Sequence, residues 1–146
     1  MEYAKMKIYI GSDHAGVDLK SQIKKRLEGR FEFDDVGTFT SESVDYPDFA
    51  HKVSESVLSD GGSLGILICG TGNGMAITAN KHAGIRAALC WSPDIAALAK
   101  QHNNANIIVL PARFISVETA METLESFLDA QFEGGRHQRR IDKINI

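Results

Sequence analysis

Residues 64–75 read LGILICGTGNGM. A short apolar run, LGILIC, passes directly into a loop with glycine at positions 70, 72 and 74, and the loop leads into a helix. An unbroken apolar run bounded by turn residues reads as a strand buried on both faces, the form strands take in a parallel sheet. Similar short runs recur at 6–11 (MKIYIG), 31–37 (FEFDDVG), 85–90 (IRAALC) and 106–111 (NIIVLP), separated by amphipathic runs. This βαβα alternation predicts an α/β fold with about five parallel strands.

The first amphipathic run, VDLKSQIKKRL, sets Val17, Leu19, Ile23 and Leu27 largely along one helix face. Pro47 and Pro93 stand where helices should begin, with Ser92 placed as an N-cap and Asp94 suited to the positive end of the helix dipole. A helix is expected from about 117 to 132, stopped by Gly134 and Gly135. RHQRRIDKI then predicts a second, short helix with Arg136 and Arg140 one turn apart.

The chain has 146 residues, enough for one domain over 1–146 with a C-terminal helical tail from about 133. With 43% hydrophobic and 24% charged residues, and no apolar run near the roughly 18 residues that span a bilayer, no membrane role is expected. MEYAKMK, residues 1–7, carries charge but no apolar stretch, so no leader is expected and the cytoplasm is the expected location. The two cysteines read as free thiols and show no zinc spacing, so no metal is expected. A net charge of −3 argues against nucleic-acid binding, although GGRHQRRIDK gathers positive charge suited to a small anion.

In open parallel sheets ligands bind beyond the carboxyl ends of the strands. The segments there are GSDHAG, GTFTSESVDYP, GTGNGM, WSPD and PARF, and they hold Asp13, His14, Asp45, Tyr46, Cys69, Thr71 and Arg113. The loop of Gly70, Gly72 and Gly74 offers backbone N–H groups to an anion or to developing negative charge. It lacks the dinucleotide spacing, because Met75 stands where the last glycine belongs.

Cys69 ends the strand feeding that loop. A helix N-terminus would draw its thiol pKa down toward neutrality and make it a base, although a small hydrophobe at a strand end is an equal reading. Cys90 reads as a plain core residue. Asp13 and His14 fit either an N-cap with a turn histidine or a site. His51 and His82 are left out of the chemistry. His102 closes the helix that returns from the fourth strand, so it should lie near the amino ends, about 20 Å from Cys69; if catalytic, it must reach another subunit's site. Arg136 and Arg140 suit a phosphate or a solvated basic tail.

GSDHAG, DYPDFA, ICGTGNGMAITANKHAGIRAA, QHNNANI and EGGRHQRR together resemble the type B ribose-5-phosphate isomerases, in the wider family that includes allose-6-phosphate and galactose-6-phosphate isomerases. The resemblance runs from about 7 to 141. It implies a Rossmann-like three-layer α/β/α sandwich and a cofactor-free, metal-independent aldose–ketose isomerase of the pentose phosphate pathway. It also implies a homodimer or homotetramer with sites at subunit interfaces. Cys69 would move a proton between C2 and C1, and Thr71 with Gly70, Gly72 and Gly74 would stabilise the enediolate oxygen. Asp13 would hold substrate hydroxyls and His102 would help open the furanose ring. His14, Arg113, Arg136 and Arg140 would surround the phosphate, with Asp45, Tyr46 and Asn103 lining the sugar site. Family members without the cysteine carry a glutamate base where this chain has Met75, which leaves Cys69 as the base. The alternatives are a six-carbon 6-phosphate as substrate and, in another class, a flavodoxin-like nucleotide-binding module.

Overall fold

Five strands, β1 (Lys7–Ser12), β2 (Glu32–Gly37), β3 (Leu64–Cys69), β4 (Ala87–Leu89) and β5 (Ile107–Pro111), pair in the order β2-β1-β3-β5-β4, every pair parallel. The structure is a computed structural model and describes residues 5–146. Residues 1–4, which begin the segment read as carrying no leader, lie outside the described residues.

Among the described residues six α-helices accompany the strands: α1 (Val17–Arg26), α2 (Tyr46–Ser59), α3 (Asn73–Ala79), α4 (Pro93–Asn103), α5 (Val117–Asp129) and α6 (Arg136–Asp142). Side chains alternate between sheet faces, so the residues of β3 divide by parity. Ile66 and Ile68 pack with Leu19 and Ile23 of α1, Ala96 and Ala99 of α4, and Leu124 and Phe127 of α5. Leu67 and Cys69 face the opposite layer, with Ala50 and Val53 of α2 and Met75 and Ala79 of α3. The result is the expected three-layer sandwich. Burial of this apolar core favours folding by about 25 cal/mol per Å² of apolar area removed from water.

Several details differ from expectation. β4 keeps only Ala87–Leu89 of the predicted 85–90 run, because the Ile85 N–H turns back to the His82 carbonyl at 3.1 Å. α5 ends at Asp129 rather than near 132; Ala130 is extended, and the Glu133 N–H bonds to the Gln101 carbonyl at 3.0 Å, holding 130–135 against the end of α4. Ser92 takes the N-cap backbone geometry, but its hydroxyl makes no capping bond. Val17 lies at the edge of the α1 face and is only half-buried.

A buried ion pair fixes the exit of β2. Lys20 is 2% exposed, and its Nζ reaches Asp35 Oδ1 at 2.8 Å and the Thr38 carbonyl. Asp35 also accepts the Gly37 N–H at 2.9 Å and Lys24 Nζ at 3.0 Å. Burial pushes the Asp35 carboxyl up, but these donors outweigh it and hold its pKa below the ordinary value.

Candidate active site

Parity places the Cys69 side chain on the α2/α3 face at the carboxyl end of β3, the central strand. It is 5% exposed, and its Sγ accepts the Gly72 N–H at 3.2 Å. Gly72 takes φ +81°, the left-handed region that glycine enters at no cost, and this turn folds the amide back over the sulfur.

The thiol pKa does not fall as expected. Burial is the largest influence and pushes it up, and the nearby Asp13 carboxylate adds to the rise. The amides of Met75, Gly72 and Thr71 pull the other way without reversing it. Loss of water costs the thiolate more than the dipoles return.

Around Cys69 stand most of the residues expected there. Asp13 is buried at the end of β1; its N–H bonds the Ile68 carbonyl at 3.1 Å and its carboxylate caps the Ala15 N–H at 2.9 Å. His14 follows, with the Val44 N–H donating to its Nδ1 at 3.4 Å, which ties the 38–45 loop to β1. Arg113 donates its N–H to the Gly70 carbonyl at 3.0 Å, and its side chain runs over Gly70, where an added Cβ would lie 3.2 Å from its Cδ. The Tyr46 ring lies against Gly74 so closely that a Cβ there would come within 2.4 Å of it. Thr71 is exposed, its Oγ1 accepting the Asn73 N–H at 3.2 Å, and Asp45 is exposed just before α2. Met75 is fully buried in the core beside Cys69.

The remaining expected residues gather at the other end of the sheet. His102 and Asn103 occupy the last turn of α4, and with His137, Arg140, Ile141 and Ile144 they line one cavity of about 350 Å³. Arg86, which precedes β4, donates to the carbonyls of Asn103 and Asn104, each at 3.0 Å, fixing this turn to the amino end of the sheet. Arg136 and Arg140 both project from α6. A six-residue strand spans roughly 20 Å, so His102, Asn103, Arg136 and Arg140 cannot meet Cys69 within one chain. The two halves are complementary in chemistry, one with a thiol and an amide loop, the other basic.

Sequence reasoning does not single out Glu133 or His137. The rings of His102 and His137 are stacked, with centroids 4.2 Å apart and planes 13° from parallel, and Glu133 Oε1 approaches both. The four-residue spacing of Glu133 and His137 was the only available signal, since stacking on α4 is a tertiary contact. His51 and His82 also pair, Nδ1 to Nε2 at 2.7 Å, in an exposed contact. His82 lies in the turn beyond α3, which ends at Ala79.

The model of the family described as Ribose/Galactose Isomerase matches residues 8–144. The ribose-5-phosphate isomerase B of Escherichia coli (strain K12) is 45% identical over 139 residues, covering 94% of this chain and 93% of that one. A crystal structure of a ribose 5-phosphate isomerase from Thermotoga maritima superposes with a TM-score of 0.94 at 55% identity, covering 97% of this chain and 99% of that one. The Mycoplasma genitalium ribose-5-phosphate isomerase B, solved with bound ribulose-5-phosphate, gives a TM-score of 0.92 at 46% identity, covering 97% and 95%. The chain belongs to the ribose/galactose isomerase family.

Proposed function

We propose that this chain interconverts D-ribose 5-phosphate and D-ribulose 5-phosphate, without metal or cofactor, as a single domain in the cytoplasm. The observation that carries this reading is the pairing of the Cys69 sulfur with the Gly72 amide at the end of the central strand. A proton α to a carbonyl is removed by a base set beside donors that meet the developing oxyanion, and both stand here. The Cys69 thiolate takes the proton from C2 of the open-chain aldose while the C1=O electrons move onto oxygen, giving a cis-enediolate. A proton passes from O2 to O1, and Sγ returns its proton to C1; nothing is gained or lost overall. Thr71 and the amides of Gly70 and Gly74 face the enediolate oxygen, while the Gly72 amide holds the sulfur. Asp13, Asp45 and Tyr46 hold the sugar hydroxyls, and His14 and Arg113 stand on the phosphate side.

The active unit is a homodimer or a larger homo-oligomer. The separation of the two half-sites supports this reading, because His102, Asn103, Arg136 and Arg140 reach substrate only when a second chain brings them to the carboxyl ends of the first. His102 assists opening of the furanose ring, and the two arginines complete the phosphate cradle. Phosphate binding remote from the reacting carbons supplies orientation.

The test is ketose formation from D-ribose 5-phosphate, run in competition with D-allose 6-phosphate and D-galactose 6-phosphate. Preference for the five-carbon sugar is expected. Faster turnover of a six-carbon sugar, or tight nucleotide binding with no isomerisation, would overturn the reading.

A further inference from the structure

His102, Glu133 and His137 form a cluster whose second and third members have no role in the scheme above. They come from the last turn of α4, the extended link after α5 and the first turn of α6. Glu133 Oε1 lies 3.7 Å from His102 Nε2 and 3.5 Å from His137 Nε2, directly before the stacked pair of rings. His137 is 6% exposed, and its Nε2 has no hydrogen-bond partner among the described residues, so a buried polar nitrogen is aimed at the carboxylate. Backbone bonds fix the geometry: the Glu133 N–H to Gln101 on α4 at 3.0 Å, and the His137 N–H to Gly134 at 3.1 Å. Burial, His102, Arg136 and Arg140 together hold His137 below its ordinary value, and Glu133 is the one counter-charge in this set that opposes them.

Two imidazoles stacked face to face repel strongly if both are cationic, while one carboxylate in front of them favours the charged form of one. We propose that Glu133 is a positioning residue for ring opening: its carboxylate orients His102 and keeps one proton on the His102–His137 pair for exchange with the furanose. The proposal rests on the isomerase reading and on the role of His102 in it. Opening the hemiacetal takes a proton from O1, breaks the C1–O4 bond and delivers a proton to O4; no oxidant or reductant is involved. A carboxylate behind a proton-transferring imidazole is a recurrent means of fixing its orientation and tautomer.

Ribulose 5-phosphate separates this step from the Cys69 chemistry, because phosphate on O5 prevents a five-membered ring and the ketose enolises from its open chain. The experiment compares the wild-type protein with Glu133→Gln and Glu133→Asp. One measurement is the pH profile of ketose formation from D-ribose 5-phosphate; the other is solvent deuterium uptake at C1 of D-ribulose 5-phosphate. Removing the half-exposed negative charge in the glutamine variant should move the limb of the aldose profile to lower pH by about half a unit. It should also slow ketose formation about tenfold, a fraction of what general acid–base catalysis provides. Deuterium uptake should stay within about twofold of wild type, since the Cys69 step is untouched. Glu133→Asp, which keeps the charge one methylene further back, should recover part of both losses.

An unmoved profile, or deuterium uptake falling in step with ketose formation, would overturn the proposal and leave Glu133 a structural residue. Should the glutamine variant fail to fold, the aspartate variant decides alone: a profile superimposable on wild type overturns the proposal. Wild-type protein that forms no ketose would bring down the isomerase reading itself, and this proposal with it.

Discussion

The Gly72 N–H donates to Cys69 Sγ at 3.2 Å, so the sulfur and the amide loop behave as one unit. Removing the sulfur should remove the base and leave the fold, because the site loses only a small side chain from a strand end. Cys69→Ala should lower kcat/KM for ribose 5-phosphate by about 10² to 10⁴, the usual share of a general base. Ketose formation and circular dichroism measured together check this, and unchanged turnover would strip the thiol of its role.

Burial raises the Cys69 pKa, so the sign of the pH effect is fixed: the neutral thiol dominates at neutral pH and the thiolate fraction grows with pH. Alkylation of the free enzyme by iodoacetamide should therefore keep accelerating past about pH 8.5, the ordinary thiol value. Mass spectrometry of the Cys69 peptide against pH gives the curve. A plateau reached by pH 7 would show the amides outweighing burial.

The Tyr46 ring occupies the space a side chain on Gly74 would need. Gly74 does not have positive φ, so the cost of Gly74→Ala is steric and falls on Tyr46. Overpacking of this kind costs about 1–3 kcal/mol, visible as a lowered Tm, and displacement of Tyr46 should raise KM more than it lowers kcat. A normal KM would mean that Tyr46 does not line the sugar site.

If each site takes Cys69 from one chain and His102 from another, inactive Cys69→Ala and His102→Ala proteins should complement. Random reassortment of a homodimer makes half the molecules mixed, each with one intact site, so recovery should approach about a quarter of wild-type activity. Subunit exchange followed by native mass spectrometry supplies the control, and full exchange without recovery would rule out shared sites.

Lys20→Met should strand the Asp35 carboxylate with only Lys24 as a cationic partner. Breaking a buried pair costs about 3–5 kcal/mol, and the remaining Lys24 contact should bring the loss to the lower end, read by urea denaturation. Because the folded Asp35 pKa is depressed, its stabilisation is present above the unfolded value near 3.9 and disappears as pH falls through the folded one. Wild type should thus lose more stability than Asp35→Asn as pH falls below about 4.

Much of this protein was legible along the chain because its signals are local. Apolar runs such as 64–69 specify buried parallel strands, Pro47 and Pro93 mark helix starts, and the alternation of Gly70, Gly72 and Gly74 after a strand end marks a turn into a helix. These depend on backbone geometry within a few residues, so the α/β class and the placing of Cys69 and the glycine loop at the carboxyl end of the sheet follow from order alone. Strand length even predicts that His102 lies far from Cys69.

Other features required the tertiary structure. The strand order depends on which neighbour each strand buries, and the end of α5 depends on the bond from Glu133 to Gln101. Burial is a property of all surrounding atoms, and for Cys69 it outweighed the amides that position alone would credit. Glu133 and His137 acquire meaning only where α6 packs on α4, since a stacking contact between residues 35 positions apart leaves no periodicity to read. Local order determined the elements and the glycine loop beside Cys69; packing raised the thiol pKa and set the company of His102.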